Sequence, residues 1–492
     1  MTSPVLPHDH EYRRQITEQL DKTLLVEAAA GTGKTTGMVD RMVSLLRNDQ
    51  CRIETLTAVT FTRASAAELR SRFHSQLERA VRTAKGKEKQ LLTKGSEHVD
   101  RCFIGTIHAF CARILRERPI EAEVDLAFRE LEPSEDLQMR QDAWSEYVAD
   151  LFEKRSPLLD ELPPLGLEIG QLREAFTQFA DFPDVDNWPA EKVTFALPDI
   201  QHSVGQVQNY IQHMRELTPF PEERGSDKLM DTFERLIRLE RLRDLDHISE
   251  FMELMSQFKP TTCTQKYWPD GKAQGKQERD RWKEFCDQVA GPLQARWSEM
   301  RYTTVMRILK QAVATYDRVR SDNAVLNYQD LLTKTAALLQ NNPSIRQYFR
   351  RRITHLLVDE FQDTDPVQAE IMMYLTADDY SEQDWRQCRP VPGSLFVVGD
   401  PKQSIYRFRR ADIVTYNKVK EIICESGGMT VPLTTNFRTV SPLVDWINSV
   451  FKSTFPVEAD TYSPASVSMQ AGRQQTHEGT LTGIQTLDLP EN

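Results

Sequence analysis

The chain has 492 residues and a formal net charge of −11, with 39% hydrophobic and 27% charged residues. That length implies about two to four domains, and the composition is ordinary for a soluble globular protein, with nothing that points to a membrane. No apolar run approaches the roughly 20 residues that cross a bilayer, the N-terminus MTSPVLPHDHEYRRQ has no apolar leader, and the seven cysteines form no CxxC pair, which argues against zinc, iron–sulfur or disulfide frameworks and for reduced thiols in a cytoplasmic protein.

Leu24–Ala28 reads as a short apolar strand, followed by a Gly-rich turn and a helix from Lys34 to about Arg47. The turn, Ala28-Ala29-Ala30-Gly31-Thr32-Gly33-Lys34-Thr35-Thr36, departs from GxxxxGK[ST] by one methyl, Ala28 standing at the first glycine. The chemistry of a phosphate loop survives that change. Gly31 and Gly33 let backbone N–H groups curl around an anion that the helix N-terminus also attracts. Lys34 places a point charge on β- and γ-phosphates, and the Thr35 hydroxyl can hold Mg²⁺. The plain alternative is an ordinary strand–turn–helix with a surface lysine.

Thr55–Phe61 is a second strand and Ala64–Arg82 a charged amphipathic helix; Cys102–Thr106 is a third strand and Ile107–Arg118 a helix. Strands alternating with helices imply a parallel sheet. From Phe61 to Arg118 there are 13 Lys/Arg against six Asp/Glu, so this stretch carries +7 and the remainder −18. Salt screens charge over about 10 Å, so a basic stretch in an acidic chain fits either a confined nucleic-acid track or a solvated helical face.

Residues 119–340 read differently, as long, charged and helix-rich text without a strand pattern or internal repeat. The α/β pattern resumes with strands at Thr354–Asp359, Leu395–Val398 and Val431–Thr434, and a polar tail runs from about Glu458. The first of these strands ends in Asp359-Glu360. In a parallel sheet that edge binds ligands; Asp359 suits a Mg²⁺ ligand and Glu360 a general base for an attacking water. Acids in such places also serve as helix caps, but the string Asp359-Glu360-Phe361-Gln362-Asp363-Thr364-Asp365 is long and specific.

These residues resemble the UvrD/Rep/PcrA superfamily-1 helicases, and more closely the RecB/AddA branch. Further likenesses follow in the family's order: Thr60-Phe61-Thr62-Arg63-Ala64, Gly105-Thr106-Ile107-His108-Ala109-Phe110, Asn327-Tyr328-Gln329-Asp330-Leu331-Leu332, Gly399-Asp400-Pro401-Lys402-Gln403 through Arg409, and Asn436-Phe437-Arg438. The resemblance implies an α/β, RecA-like P-loop domain (1–118 and 341–425), an inserted helical domain (119–340) and the start of a second RecA-like domain (426–492). It implies ATP and Mg²⁺ as ligands, single-stranded DNA or duplex junctions as partners, 3′-to-5′ movement, and a role in repair or recombination.

Roles follow residue by residue from the same resemblance. Gln403 contacts the γ-phosphate region, Arg438 reaches it as a charged fork, and Phe437 stacks on adenine. Phe408 stacks on a base, Arg409 lies on the DNA side, and Thr62, Arg63 and His108 touch the sugar–phosphate backbone. Structural alternatives stand beside these: core aromatics for Phe408 and Phe437, a cap or buried partner for His108, a solvated charge for Arg63. Tyr406 reads as structural. Gln15 is the nearest candidate for an adenine-reading glutamine, but its spacing to Ile16 is not the usual QxxAI. After Arg438 there is no string like the family's motifs V and VI, nor a nuclease cluster. The expectation is a truncated or split protein, or a short one whose protein partner completes the motor or supplies the nuclease.

Overall fold

The computed structural model describes residues 6–185, 188, 197–217, 227–264 and 268–473. The last part of the expected second domain, 474–492, lies outside the described residues. The strands in chain order are β1 Leu24–Ala28, β2 Leu56–Thr60, β3 Phe103–Thr106, β4 Arg129–Glu130, β5 Val325–Leu326, β6 His355–Val358, β7 Leu395–Gly399, β8 Met429–Leu433, β9 Thr435–Val440 and β10 Gln470–Arg473. Six form one wholly parallel sheet in the order β3-β2-β6-β7-β1-β8. The expected α/β architecture is present, and no expected strand end is displaced by more than two residues.

The chain divides into two compact units, Met1–Phe128 with Tyr328–Asn492, and Arg129–Asn327. The helical insert is therefore shorter at both ends than 119–340. Packing explains the difference: the helix Tyr328–Asn341 lies against α5 (Ile107–Glu117) and against the helix Pro366–Thr376 of the α/β unit. The expected boundary at 426 is also corrected. β8 pairs with β1 along its length, from Leu24 opposite Met429 to Ala28 opposite Leu433, so it is the edge strand of the first sheet. After it, β9 and β10 make a separate parallel pair.

The insert is built on helices, the longest being Gly291–Asp322, around an aromatic core that includes Trp144, Phe176, Phe233, Phe251 and Trp282. Among the described residues, one short parallel pair, β4 with β5, departs from its helical reading.

In the α/β unit the central strands are buried on both faces, which is why β1, β6 and β7 read as continuous apolar runs instead of alternating ones. Helix α2 (Lys34–Arg47) covers the sheet with Met38, Val39, Met42, Val43, Leu45 and Leu46, a stripe at helical spacing. Its Arg41 is fully buried and donates to the carbonyls of Ile16 (2.9 Å), Gln19 (3.1 Å) and Lys22 (2.8 Å). One guanidinium thus fixes the turn between α1 (His10–Glu18) and β1.

His355, at the start of β6, is held largely neutral: burial, then the charges of Arg41 and Arg350, pull its pKa down to about 4. Between about 6.5 and about 4 the unfolded chain binds the proton and the folded one does not, so stability is fully present above about 6.5 and falls as pH drops through that window. The expected loss is about 3 kcal/mol. His355→Asn should flatten this part of the profile in urea titrations at stepped pH; an unchanged acid limb would show that another group sets it.

Candidate nucleotide and nucleic-acid site

Because the sheet is parallel, the segments that leave its strands emerge at one edge. The glycine loop follows β1, Thr62 follows β2, Thr106 caps α5 after β3, Asp359 and Glu360 follow β6, Asp400 follows β7 and Thr434 follows β8.

The loop is set by two left-handed glycines, Gly31 (φ +73°) and Gly33 (φ +87°), conformations costly to a side chain. Thr32 is buried and its hydroxyl donates to the Ala29 carbonyl at 2.8 Å, bracing the curl. Thr35 and Thr36 sit in the first turn of α2, where free N–H groups and the helix dipole favour an anion.

Lys34 Nζ lies 2.6 Å from Glu360 Oε2, so the loop lysine and the strand-end acids do converge. Asp359 is buried and accepts the Glu360 N–H at 3.0 Å. Burial, then the Glu360 charge, pushes Asp359 up to about 6, and the same two causes push Asp363 to about 6. Asp363 Oδ1 is buried with no hydrogen-bond partner among the described residues. One ammonium facing three carboxylates leaves the site short of positive charge, which suits a divalent cation. Among the described residues no group of three or more His, Cys, Asp or Glu is arranged to hold a metal by itself. A cation that shares its shell with phosphate oxygens, as Mg²⁺ does, would fit such a site.

Gln403 donates to Asp400 Oδ2 at 2.6 Å, and Asp400 also holds Lys402 Nζ at 2.9 Å. Asp400 N–H in turn donates to Gln362 Oε1 (2.9 Å), whose Nε2 donates to Glu360 Oε2 (2.8 Å). Gln403 is thus linked to the Glu360–Lys34 pair through Asp400 and Gln362, two residues whose part is not apparent from sequence.

Arg438 is exposed, with its backbone tied to the loop. Asn436 Nδ2 donates to the Ala30 carbonyl (2.8 Å), Phe437 N–H to the Gly31 carbonyl (2.9 Å), and Asn436 Oδ1 accepts from the N–H of Arg438 and Thr439, each at 2.8 Å. Phe437 is 42% exposed, with the Arg13 guanidinium 4.9 Å from its ring centre. Arg13 is held by Asp9 at 2.8 and 2.9 Å, and Asp9 also accepts the N–H of Thr434 and Thr435. Sequence reasoning misses Asp9 and Arg13; their four-residue spacing is the only local signal.

On the other flank an aromatic cluster forms from distant segments. Phe61 stacks on Tyr406 (5.4 Å between centres) and Tyr406 meets Phe408 edge-on (5.7 Å). The Arg409 guanidinium lies between 5.5 and 5.8 Å from all three rings. Phe408 is 77% exposed, which removes the core-aromatic alternative. Tyr406 is therefore part of this platform. Phe61, which sequence reasoning also misses, stands where an aromatic ends an apolar strand. Thr62 caps α3 (Arg63–Thr83), accepting the Ser65 N–H at 3.0 Å, with Arg63 exposed beside it. His108 packs at 4.9 Å on Tyr328.

Comparison with known proteins agrees with this geometry. A family model described as the UvrD/REP helicase N-terminal domain matches residues 9–423. The chain is 26% identical to an ATP-dependent helicase/nuclease subunit of Listeria monocytogenes serotype 4a, over 92% of this chain and 40% of that protein. It is 26% identical to the protein of the same name from Bacillus pumilus, over 90% and 39%. The chain thus spans about two fifths of the length of these relatives.

A side chain at Gly31 would place its Cβ 2.8 Å from both Arg438 Cβ and Asn436 Oδ1, in a left-handed backbone. Gly31→Ala should weaken nucleotide binding by about 10-fold or more, equivalent to about 1.4 kcal/mol, while the melting temperature changes little. Titration with a fluorescent ATP analogue checks this; parental affinity would mean that the loop and the 436–438 segment need not touch.

Proposed function

The chain belongs to the UvrD/REP helicase family, and from that premise we propose that it couples ATP hydrolysis to 3′-to-5′ movement along single-stranded DNA in repair or recombination. The observation that carries the reading is the single run of contacts Lys34–Glu360–Gln362–Asp400–Gln403. It leads into the segment that bears Tyr406, Phe408 and Arg409.

Bound ATP·Mg²⁺ supplies the phosphoanhydride whose cleavage drives the cycle. In this reading the backbone of Ala28 to Thr36 cradles the phosphates, and Thr35 with Asp359 would hold the metal. Lys34 exchanges the Glu360 carboxylate for phosphate oxygens, and Glu360, relieved of its partner, takes the proton from the attacking water. Gln403 meets the γ-phosphate region as an uncharged donor and acceptor, and Arg438 swings in as a charged fork on the transition state. Phe437 stacks on the base of the nucleotide, with Arg13 beside it.

Single-stranded DNA lies on Phe61, Tyr406 and Phe408, because stacking is worth roughly 1–3 kcal/mol per base and tolerates any sequence. Arg63, Arg409 and His108 meet the sugar–phosphate backbone; Thr62 orients the first turn of α3 toward it. A duplex junction would be approached from the same side. The relatives carry the name of a helicase/nuclease subunit, which supports a protein partner that supplies further motor or nuclease parts. No helix among the described residues is long and apolar enough to cross a membrane; we place the protein in the cytoplasm.

ATP hydrolysis with and without a single-stranded oligodeoxynucleotide tests the reading. DNA should stimulate turnover, and Glu360→Gln should cut it by about 10²–10⁴-fold while ATP binding stays measurable. Parental turnover in that variant would sink the carboxylate assignment. Turnover indifferent to DNA would favour a nucleotide- and DNA-binding module without productive movement.

A further inference from the structure

Glu360 has a backbone that a non-glycine residue rarely adopts, with φ +52°. Such a residue persists only where its surroundings hold it, and it re-aims the side chain. The Glu360 N–H donates to Asp359 Oδ1 at 3.0 Å and its carbonyl accepts the Asp363 N–H at 3.0 Å. These contacts fix the peptide. They do not fix the carboxylate.

The carboxylate has two donors on the same oxygen, Oε2: Lys34 Nζ at 2.6 Å and Gln362 Nε2 at 2.8 Å. Lys34 is the one that nucleotide removes, because in the ATPase reading it turns to the phosphates. Gln362 is anchored differently. It is 3% exposed, and its Oε1 accepts the Asp400 N–H at 2.9 Å. A Cβ on Gly399 would lie 2.8 Å from that same Oε1, so β7 is built close against the amide. The Gln362 carbonyl accepts the Ser404 hydroxyl at 3.1 Å. Both the side chain and the backbone of this residue therefore grip the 399–404 segment, while its Nε2 reaches the acid.

We infer that Gln362 is a positioning residue: its amide holds Glu360 Oε2 once Lys34 has left, presents Oε1 to the attacking water, and ties that aim to the segment that carries Tyr406, Phe408 and Arg409. An amide suits the task because it donates to the acid and accepts from the Asp400 N–H at the same time without adding charge. A carboxylate there would accept at both ends and repel Glu360 and Asp363. The inference rests on the proposed ATPase reading.

Three versions of the chain test it: the parent, Gln362→Glu and Gln362→Met. Turnover is measured against ATP concentration, with and without oligo(dT). The expected result for both variants is a fall in kcat of about 10-fold or more, a KM for ATP within about 2-fold of the parent, and a reduced stimulation ratio by oligo(dT). A purely structural role would lower the melting temperature and the active fraction, and would leave the KM and stimulation ratio of the remaining enzyme as in the parent; that outcome, or parental kcat, overturns the inference. A double-mutant cycle of Glu360→Gln with Gln362→Met, read on melting temperature, reports the contact without turnover. Additive shifts overturn it and non-additive ones support it. A parent that hydrolyses no ATP speaks against the ATPase reading instead, and the cycle still decides the contact.

Discussion

The nucleotide end of this molecule is governed by a charge imbalance that its sheet creates. Parallel pairing of β1 with β7 and of β7 with β6 brings the ends of three strands together, and the ends of β1 and β6 deliver opposite charges. β1 leads to one ammonium, Lys34; β6 leads to Asp359, Glu360 and Asp363. Lys34 and Glu360 are 326 positions apart in sequence yet 2.6 Å apart in space. With one cation among three acids, burial and mutual repulsion hold two of the acids well above the usual carboxylate range. The site is stable without ligand because Lys34 pairs with Glu360, and receptive to ligand because that pairing is incomplete. In the proposed reading a metal–phosphate pair would answer both deficits, the metal on the acids and the phosphates on the lysine.

The amino-acid text discloses this site unevenly, for physical reasons. Strands buried on both faces announce themselves as apolar runs, and β1, β6 and β7 are legible to within a residue or two. The glycine loop is legible because only glycine takes φ values such as +87° cheaply. Gln362 stands inside a recognisable string yet shows no task there, since an amide's role depends on what lies at both of its ends, and one end is a backbone N–H 38 positions away. Phe61 and Tyr406 look like ordinary aromatics until a fold stacks them. Pairing partners are hidden in the same way. Nothing local distinguishes β8 as the last strand of the first sheet from the first strand of a second one; that is decided by hydrogen bonds to β1. The ends of the insert are hidden because helix periodicity tells that a helix exists, not which core its apolar stripe joins.

The close approach of the 434–438 segment to the glycine loop adds a mechanical consequence. Asp9, buried to 2% exposure, accepts two backbone N–H groups from that segment and holds Arg13, which lies over Phe437. Asn436 and Phe437 meanwhile bond the carbonyls of Ala30 and Gly31. The strand that carries Arg438 is thus laced to the loop through the Phe437 N–H and the Asn436 side chain, while the arginine side chain itself stays exposed. Ties of this kind resist shear, so in the proposed reading Arg438 would reach the loop by side-chain rotation, without β9 travelling as a body.

The two outputs of the site differ in stiffness for a related reason. Toward β9 the link is largely to main-chain carbonyls and N–H groups, and it is stiff. Toward β7 it runs through the side chains of Gln362, Asp400 and Gln403 and the Asp400 N–H. A chain of buried side-chain hydrogen bonds has discrete alternatives where a strand ladder has few. In the proposed reading the segment that would respond when Lys34 changes partner is 399–409, which holds out an exposed aromatic ring and an arginine.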